Sequence, residues 1–174
     1  MRARHVAGVI FVVLVTAAIQ TTLFAQLRPF DAVPALVLLI VIGYARLLRP
    51  EFALFLGFSA GLMHDLLSES PLGLWALVLT TVAYSVLNFR DRFEEDFGSV
   101  GPLVFVFTVG GLILFVVLGT VFGEKTLADA GLVKKIILPS IYNVALTPLI
   151  FPVTAWTVGL SRKRAGAEYS ELSL

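Results

Sequence analysis

The residues with chemical capacity gather in one short stretch. His64 and Asp65 are adjacent, and Glu69 follows four residues after Asp65. An imidazole with two carboxylates is a ligand set for a divalent cation, and three N/O ligands are the usual minimum for a catalytic zinc. The spacing argues against that use. Ser68-Glu69-Ser70-Pro71 reads as a turn, so Asp65 and Glu69 do not share a helical face, and His5 lies on the opposite side of the molecule. There are no cysteines, which removes thiol nucleophiles, thiolate metal sites and disulfides. No Ser-His-Asp set, phosphate-cradling glycine loop or paired-carboxylate motif is present. The residues therefore predict no catalytic group, no metal and no cofactor.

Asp65 has a second set of neighbours. Gly57, Gly61 and Asp65 fall four apart, on one face of a helix. Two glycines at that spacing let another backbone come close, as in membrane helix pairing. A carboxylate at the far end of such a helix faces its partial negative charge, which disfavours it by a few tenths to about 1 kcal/mol. Two readings stay open: a solvated helix end, or an acid held by hydrogen bonds from the segment near Gly73 and presented to a partner.

The elements that position these residues follow from composition. Hydrophobic residues make up 58% of the 174-residue chain and charged residues 14%, with mean hydropathy +0.94. A soluble domain carries about a quarter charged residues. An all-α integral membrane protein of one domain is expected. The net charge of +1 gives no nucleic-acid signature.

Six spans can be read from the apolar runs, each compared with a hydrocarbon core of about 30 Å. The first covers 6–24, an uncleaved helix with Gln20, Thr21 and Thr22 near its far end, suited to the interface or a helix contact. The second covers 32–48, with Pro34 in its first turn and Arg46 and Arg49 at its close, able to snorkel to head groups. Pro50 and Glu51 open the third, 52–67. Ser70-Pro71 reads as N-cap and first helical residue of the fourth, 72–89. Phe89, Phe93 and Phe97, with charges between them, suit a short amphipathic turn on the membrane surface. The fifth span runs from about Ser99 to Phe122, with Gly110, Gly111 and Gly119 thinning one side. A polar connection, 123–135, leads to the sixth span, 136–160. There Pro139 falls in the first turn, while Pro148 and Pro152 favour a kink. Asn143 and Thr147 are placed to bond freed backbone groups or a neighbouring helix. The six-helix domain ends near residue 164, and an irregular tail, 165–174, is expected beyond it.

Six spans put both termini on one side. With the termini cytoplasmic, nine of the 13 lysines and arginines lie inside and four outside, which favours that orientation. The His64-Asp65-Glu69 cluster then faces outward. The spans carry ionisable residues only near their ends, which argues against ion-coupled transport and intramembrane catalysis.

The chain resembles the MreD family of bacterial rod-shape-determining proteins. The resemblance rests on Pro34-Ala35-Leu36-Val37-Leu38, on Gly57-Phe58-x-x-Gly61-Leu62-x-x-Asp65 followed by Gly73-Leu74-x-Ala76-Leu77, and on Tyr142-Asn143 with Pro148 and Phe151-Pro152. It covers nearly the whole length. The resemblance implies a non-enzymatic scaffold of the cell-elongation machinery for peptidoglycan synthesis in the cytoplasmic membrane. It implies association with MreC and, indirectly, with MreB, RodA and a class B penicillin-binding protein. It also implies a fold similar to the substrate-binding subunits of energy-coupling-factor transporters, so a small-molecule- or lipid-binding transporter subunit is the alternative. Gly57, Phe58, Gly61, Asp65, Gly73, Asn143 and Pro148 are the positions expected to pack helices or meet a partner.

Overall fold

A computed structural model describes residues 3–27, 33–68, 70–92, 97–123 and 131–171, with side-chain surroundings for a smaller set within these. The described residues form six α-helices: α1 (Ala3–Leu27), α2 (Leu36–Ala45), α3 (Pro50–Leu67), α4 (Leu74–Phe89), α5 (Phe97–Val121) and α6 (Leu132–Glu171). A single 3-10 turn, Arg90–Arg92, follows α4. No strand occurs among the described residues.

The second helix is the centre of the molecule. All ten residues of Leu-Val-Leu-Leu-Ile-Val-Ile-Gly-Tyr-Ala are buried, and α1, α3, α4, α5 and α6 all pack against it. Ten residues rise only about 15 Å, half the thickness of a hydrocarbon core. The expected span over 32–48 is therefore corrected to a short core helix. Pro34 does not stand in its first turn; residues 33–35 are non-helical. What permits so short a helix is help from outside it. The N–H of Val37, unsatisfied within the helix, donates to Gln20 Oε1 of α1 at 2.9 Å. The carbonyl of Ala35 accepts both Leu39 N–H at 3.0 Å and Asn143 Nδ2 of α6 at 3.0 Å.

α3 begins where its residues predict, with Pro50 at the first helical position and Glu51 in the first turn. α4 does not. Ser70-Pro71 is no helix start: Leu74 N–H bonds Pro71 O at 3.2 Å, and Gly73 occupies the cap position at φ 94°. That value suits the second central residue of a type II turn, where a side chain is disfavoured. Ser70 is not needed as a cap, because Asp65 of α3 takes that role.

Among the described residues, two helices are long and apolar enough to cross a membrane, over Val100–Val121 and Leu132–Val158. α6 starts earlier than the apolar run suggests, so Pro139, Pro148 and Pro152 all lie inside it. Its helical backbone continues past residue 164 to Glu171. Large apolar side chains are exposed on every helix but α2, with Phe11, Phe55, Leu77, Val106 and Trp156 among them. Several expectations fall on residues outside those described: the head to Arg2, the turn at 28–31, Glu69, Phe93 with the acidic run to Asp96, the connection 124–130, and residues 172–174.

Candidate functional site

The α3–α4 hairpin is built by the close approach of two backbones. Gly57 and Gly61 face α4. A Cβ on Gly57 would lie 2.9 Å from Leu79 O and 3.2 Å from Ala83 Cβ, and one on Gly61 would collide with the backbone of Trp75 and Ala76. No other residue fits at Gly61 without moving α4. This approach brings the next residue on the same face, Asp65, against the first turn of α4.

Asp65 is 2% exposed. Its Oδ2 accepts Gly73 N–H at 2.9 Å and Ala76 N–H at 3.2 Å. Its Oδ1 accepts Trp75 N–H at 3.0 Å and Ser70 Oγ at 3.2 Å. Three of these donors are backbone N–H groups at the positive end of α4, where a carboxylate is favoured. The gain at the start of α4 offsets the cost at the end of α3. Ser70 Oγ also lies 2.7 Å from Ser68 Oγ, which closes the tip.

His64 lies one residue before, 6% exposed. Its Nε2 is 3.0 Å from Gln20 Nε2. Because Gln20 Oε1 is committed to the Val37 N–H, the Gln20 amide nitrogen faces the ring and donates to it. His64 Nε2 is thereby the acceptor, and the proton of the neutral imidazole sits on Nδ1. His64 Nδ1 is buried and has no hydrogen-bond partner. The ring packs on Trp75, centroids 4.8 Å apart, and Trp75 stacks on Phe115 of α5 at 4.4 Å.

No group of three or more His, Cys, Asp or Glu that could hold a metal ion occurs among the described residues. The oxygens of Asp65 point at N–H and O–H donors, and His64 Nε2 is taken by Gln20.

The second polar centre lies at the meeting of α2, α5 and α6. Asn143 and Thr108 are fully buried. Asn143 Nδ2 donates to Ala35 O at 3.0 Å and to Thr108 Oγ1 at 3.3 Å. Its Oδ1 is buried without a partner. Thr147 Oγ1 donates to Asn143 O at 2.7 Å, a bond within α6. Farther along, Tyr44 Oη and Thr157 Oγ1 share a bond of 2.8 Å between α2 and α6.

A profile of the family described as rod shape-determining protein MreD matches residues 2–154. The chain belongs to the MreD family. No curated protein and no solved structure matches it. The MreD match takes in all of α1 to α5 and α6 up to Thr154, and so both polar centres.

Of the seven positions singled out in the sequence, Gly57, Gly61, Asp65 and Gly73 lie along the contact of α3 with α4, with Asp65 and Gly73 bonded at its tip. Asn143 belongs to the other centre. Phe58 and Pro148 do neither: both are exposed on the outer faces of their helices. Gln20, Trp75 and Thr108 are the contributors that the sequence did not single out as site residues. Gln20 alone carried a signal, as an amide in an apolar run.

Proposed function

We propose that this MreD-family chain is a non-enzymatic membrane scaffold of the bacterial cell-elongation machinery. In this reading it sits in the cytoplasmic membrane as a multi-pass protein with both termini inside. It holds MreC directly, and through it MreB filaments, RodA and a class B penicillin-binding protein. Family membership supplies the role in rod shape. The observation that carries the scaffold reading is the use made of Asp65: three of its hydrogen bonds fix the start of α4 on the end of α3, and the fourth, from Ser70, closes the turn between them. The many large apolar side chains exposed on α1, α3, α4, α5 and α6 support immersion in lipid.

In-membrane crosslinking followed by pull-down from native cells tests the role. The expected partners are cell-wall synthesis proteins, and a partner set without them overturns the scaffold reading. Immersion is tested separately: the protein should stay with the membrane through an alkaline carbonate wash. For orientation, a cysteine at Thr126 should label with an impermeant reagent in intact cells, and one at Ser170 should not.

One observation favours the alternative, a small-molecule- or lipid-binding subunit of a transporter. His64 Nδ1 and Asn143 Oδ1 are both buried and unpaired, a cost of about 1–3 kcal/mol each that a bound polar molecule would remove. A small molecule that co-purifies with the native protein and is lost in an Asn143→Ala variant would establish that reading.

A further inference from the structure

α4 turns its polar side chains outward. Leu77, Thr80, Thr81, Tyr84, Ser85 and Asn88 recur at helical spacing on one face. Thr81, Tyr84 and Asn88 are exposed, and Thr80 and Ser85 are half-buried. Leu77 alone among the six is apolar. The opposite side of α4 is apolar, with Leu74, Val78, Leu79, Val82 and Val86 all buried. α5 and α6 do the reverse. Thr108, Asn143, Thr147 and Thr154 are buried, while Val106, Ile113, Val117, Ile141 and Leu149 are exposed. Anchoring at the headgroup level accounts for Asn88, at the end of α4, but not for Thr80 and Thr81. Those two stand mid-helix, about 10 Å from its first residue.

The hydrogen bonds already made define what this face lacks. Thr80 Oγ1 donates to Ala76 O at 2.6 Å, Thr81 Oγ1 to Leu77 O at 2.9 Å, and Ser85 Oγ to Thr81 O at 2.9 Å. Each hydroxyl proton is used within the helix, and each hydroxyl oxygen is left as an acceptor. Tyr84 is 57% exposed, and its Oη, a free donor, has no partner among the described residues. The Asn88 amide is likewise unpaired there and brings both a donor and an acceptor. None of the six is charged. In a lipid-immersed bundle such groups are satisfied across helices.

We propose that this face of α4 packs on the same face of α4 in a second copy of the chain. Its donors and acceptors lie within a turn of one another, so the face is complementary to itself. A two-fold axis along the membrane normal sets equal depths together and makes each contact twice. Tyr84 O–H of each copy then meets the acceptor oxygens of Thr81 and Ser85 on the other, and Asn88 meets Asn88. The end of α4 repeats the pattern in charges. Asp91, its side chain 97% exposed, lies 3.9 Å from Arg90, and the two-fold brings a second arginine to each aspartate.

The proposal rests on the membrane reading, which the carbonate wash tests independently. The chain has no cysteine, so a single introduced cysteine reports alone. In native membranes holding the full-length protein, Leu77→Cys and Thr81→Cys should each give a disulfide-linked dimer on mild oxidation. Val106→Cys, exposed on α5, should stay monomeric. Tyr84→Phe keeps the ring and removes the free donor. It should unfold at the wild-type midpoint yet raise the dissociation constant of the dimer in detergent about tenfold or more, since two symmetry-related bonds are lost. Asn88→Leu should weaken the dimer in the same direction. The proposal is overturned if Val106→Cys links as readily as the α4 cysteines, or if neither α4 cysteine links two copies. It is also overturned if those cysteines link instead to a protein of another mass, or if Tyr84→Phe and Asn88→Leu both leave the dimer unchanged.

Discussion

The α3–α4 hairpin and the α5–α6 pair are both antiparallel helices, and they are held by opposite means. In the hairpin the backbones touch: a Cβ on Gly61 would collide with Ala76 and Trp75. In the other pair, a Cβ on Gly101 would sit 3.6 Å from Val144 Cγ1, an ordinary contact. The hairpin buries one carboxylate and satisfies it with four donors. The pair buries an amide, Asn143, and leaves its oxygen unpaired. Backbone contact fixes a single geometry, because main-chain atoms cannot change rotamer. Side-chain contact leaves room to slide, and α6 carries three internal prolines besides. The hairpin is therefore the rigid part of the molecule and α5–α6 the adjustable one.

The strongest way to break this contrast is Gly61→Leu. The added side chain meets backbone atoms, so the cost lies at or above the top of the usual overpacking range of about 1–3 kcal/mol. No monodisperse peak is expected from detergent extracts by size-exclusion chromatography. Leu62→Ile, on the outward side, should elute like the wild type. A normal peak for Gly61→Leu would mean that α3 and α4 are not held through this face.

Next in size is Asp65. Asp65→Ala leaves buried N–H groups without acceptors and should lower thermal stability by about 3 kcal/mol or more, at about 1–3 for each unsatisfied donor. Asp65→Asn keeps one oxygen and should fall between. Equal losses in the two variants would show that charge, not hydrogen bonding, is what the tip requires.

Asn143→Ala sharpens the comparison from the other side. Two hydrogen bonds are lost, but Ala35 O keeps Leu39 N–H, and the unpaired Oδ1 disappears with the side chain. A loss of about 1–2 kcal/mol is expected, smaller than for Asp65→Ala. If the two alanine variants unfold at the same midpoint, the hairpin is no more rigid than the pair.

These same residues show what could be read in advance. The start of α3 was legible because Pro50 and Glu51 act within their own helix. The shortness of α2 was not. Hydropathy is the same for a helix sunk among other helices as for one facing lipid. What ends α2 at Leu36 is Gln20 and Asn143, which lie 17 and 108 residues from their bonding partners. The start of α4 misled for a related reason: Ser70-Pro71 is a sound local signal, overridden by a carboxylate on the preceding helix. The glycine face was legible in its spacing. Which of the adjacent glycines in α5 lies inward was not, since the apolar residues around them mark no single face.

That last ambiguity carries the smallest and most discriminating test. Gly110 and Gly111 both lie within α5. A Cβ on Gly110 would meet nothing within 4 Å, whereas one on Gly111 would lie 2.8 Å from Leu38 Cδ1 and 3.0 Å from Val82 Cγ2. Alanine is favoured over glycine inside a helix by roughly 0.5–1 kcal/mol. Gly110→Ala gains this with no opposing contact and should raise the unfolding midpoint slightly. Gly111→Ala gains the same amount but presses on the branched ends of two core side chains. Leu38 is 1% exposed and Val82 4%, so neither has free volume to turn into, and a modest net loss follows. The two substitutions are chemically identical and one residue apart, so opposite signs can come only from the side of α5 each faces. Like signs would mean that α5 is rotated about its axis, and with it the contact of Thr108 with Asn143 that joins α5 to α6.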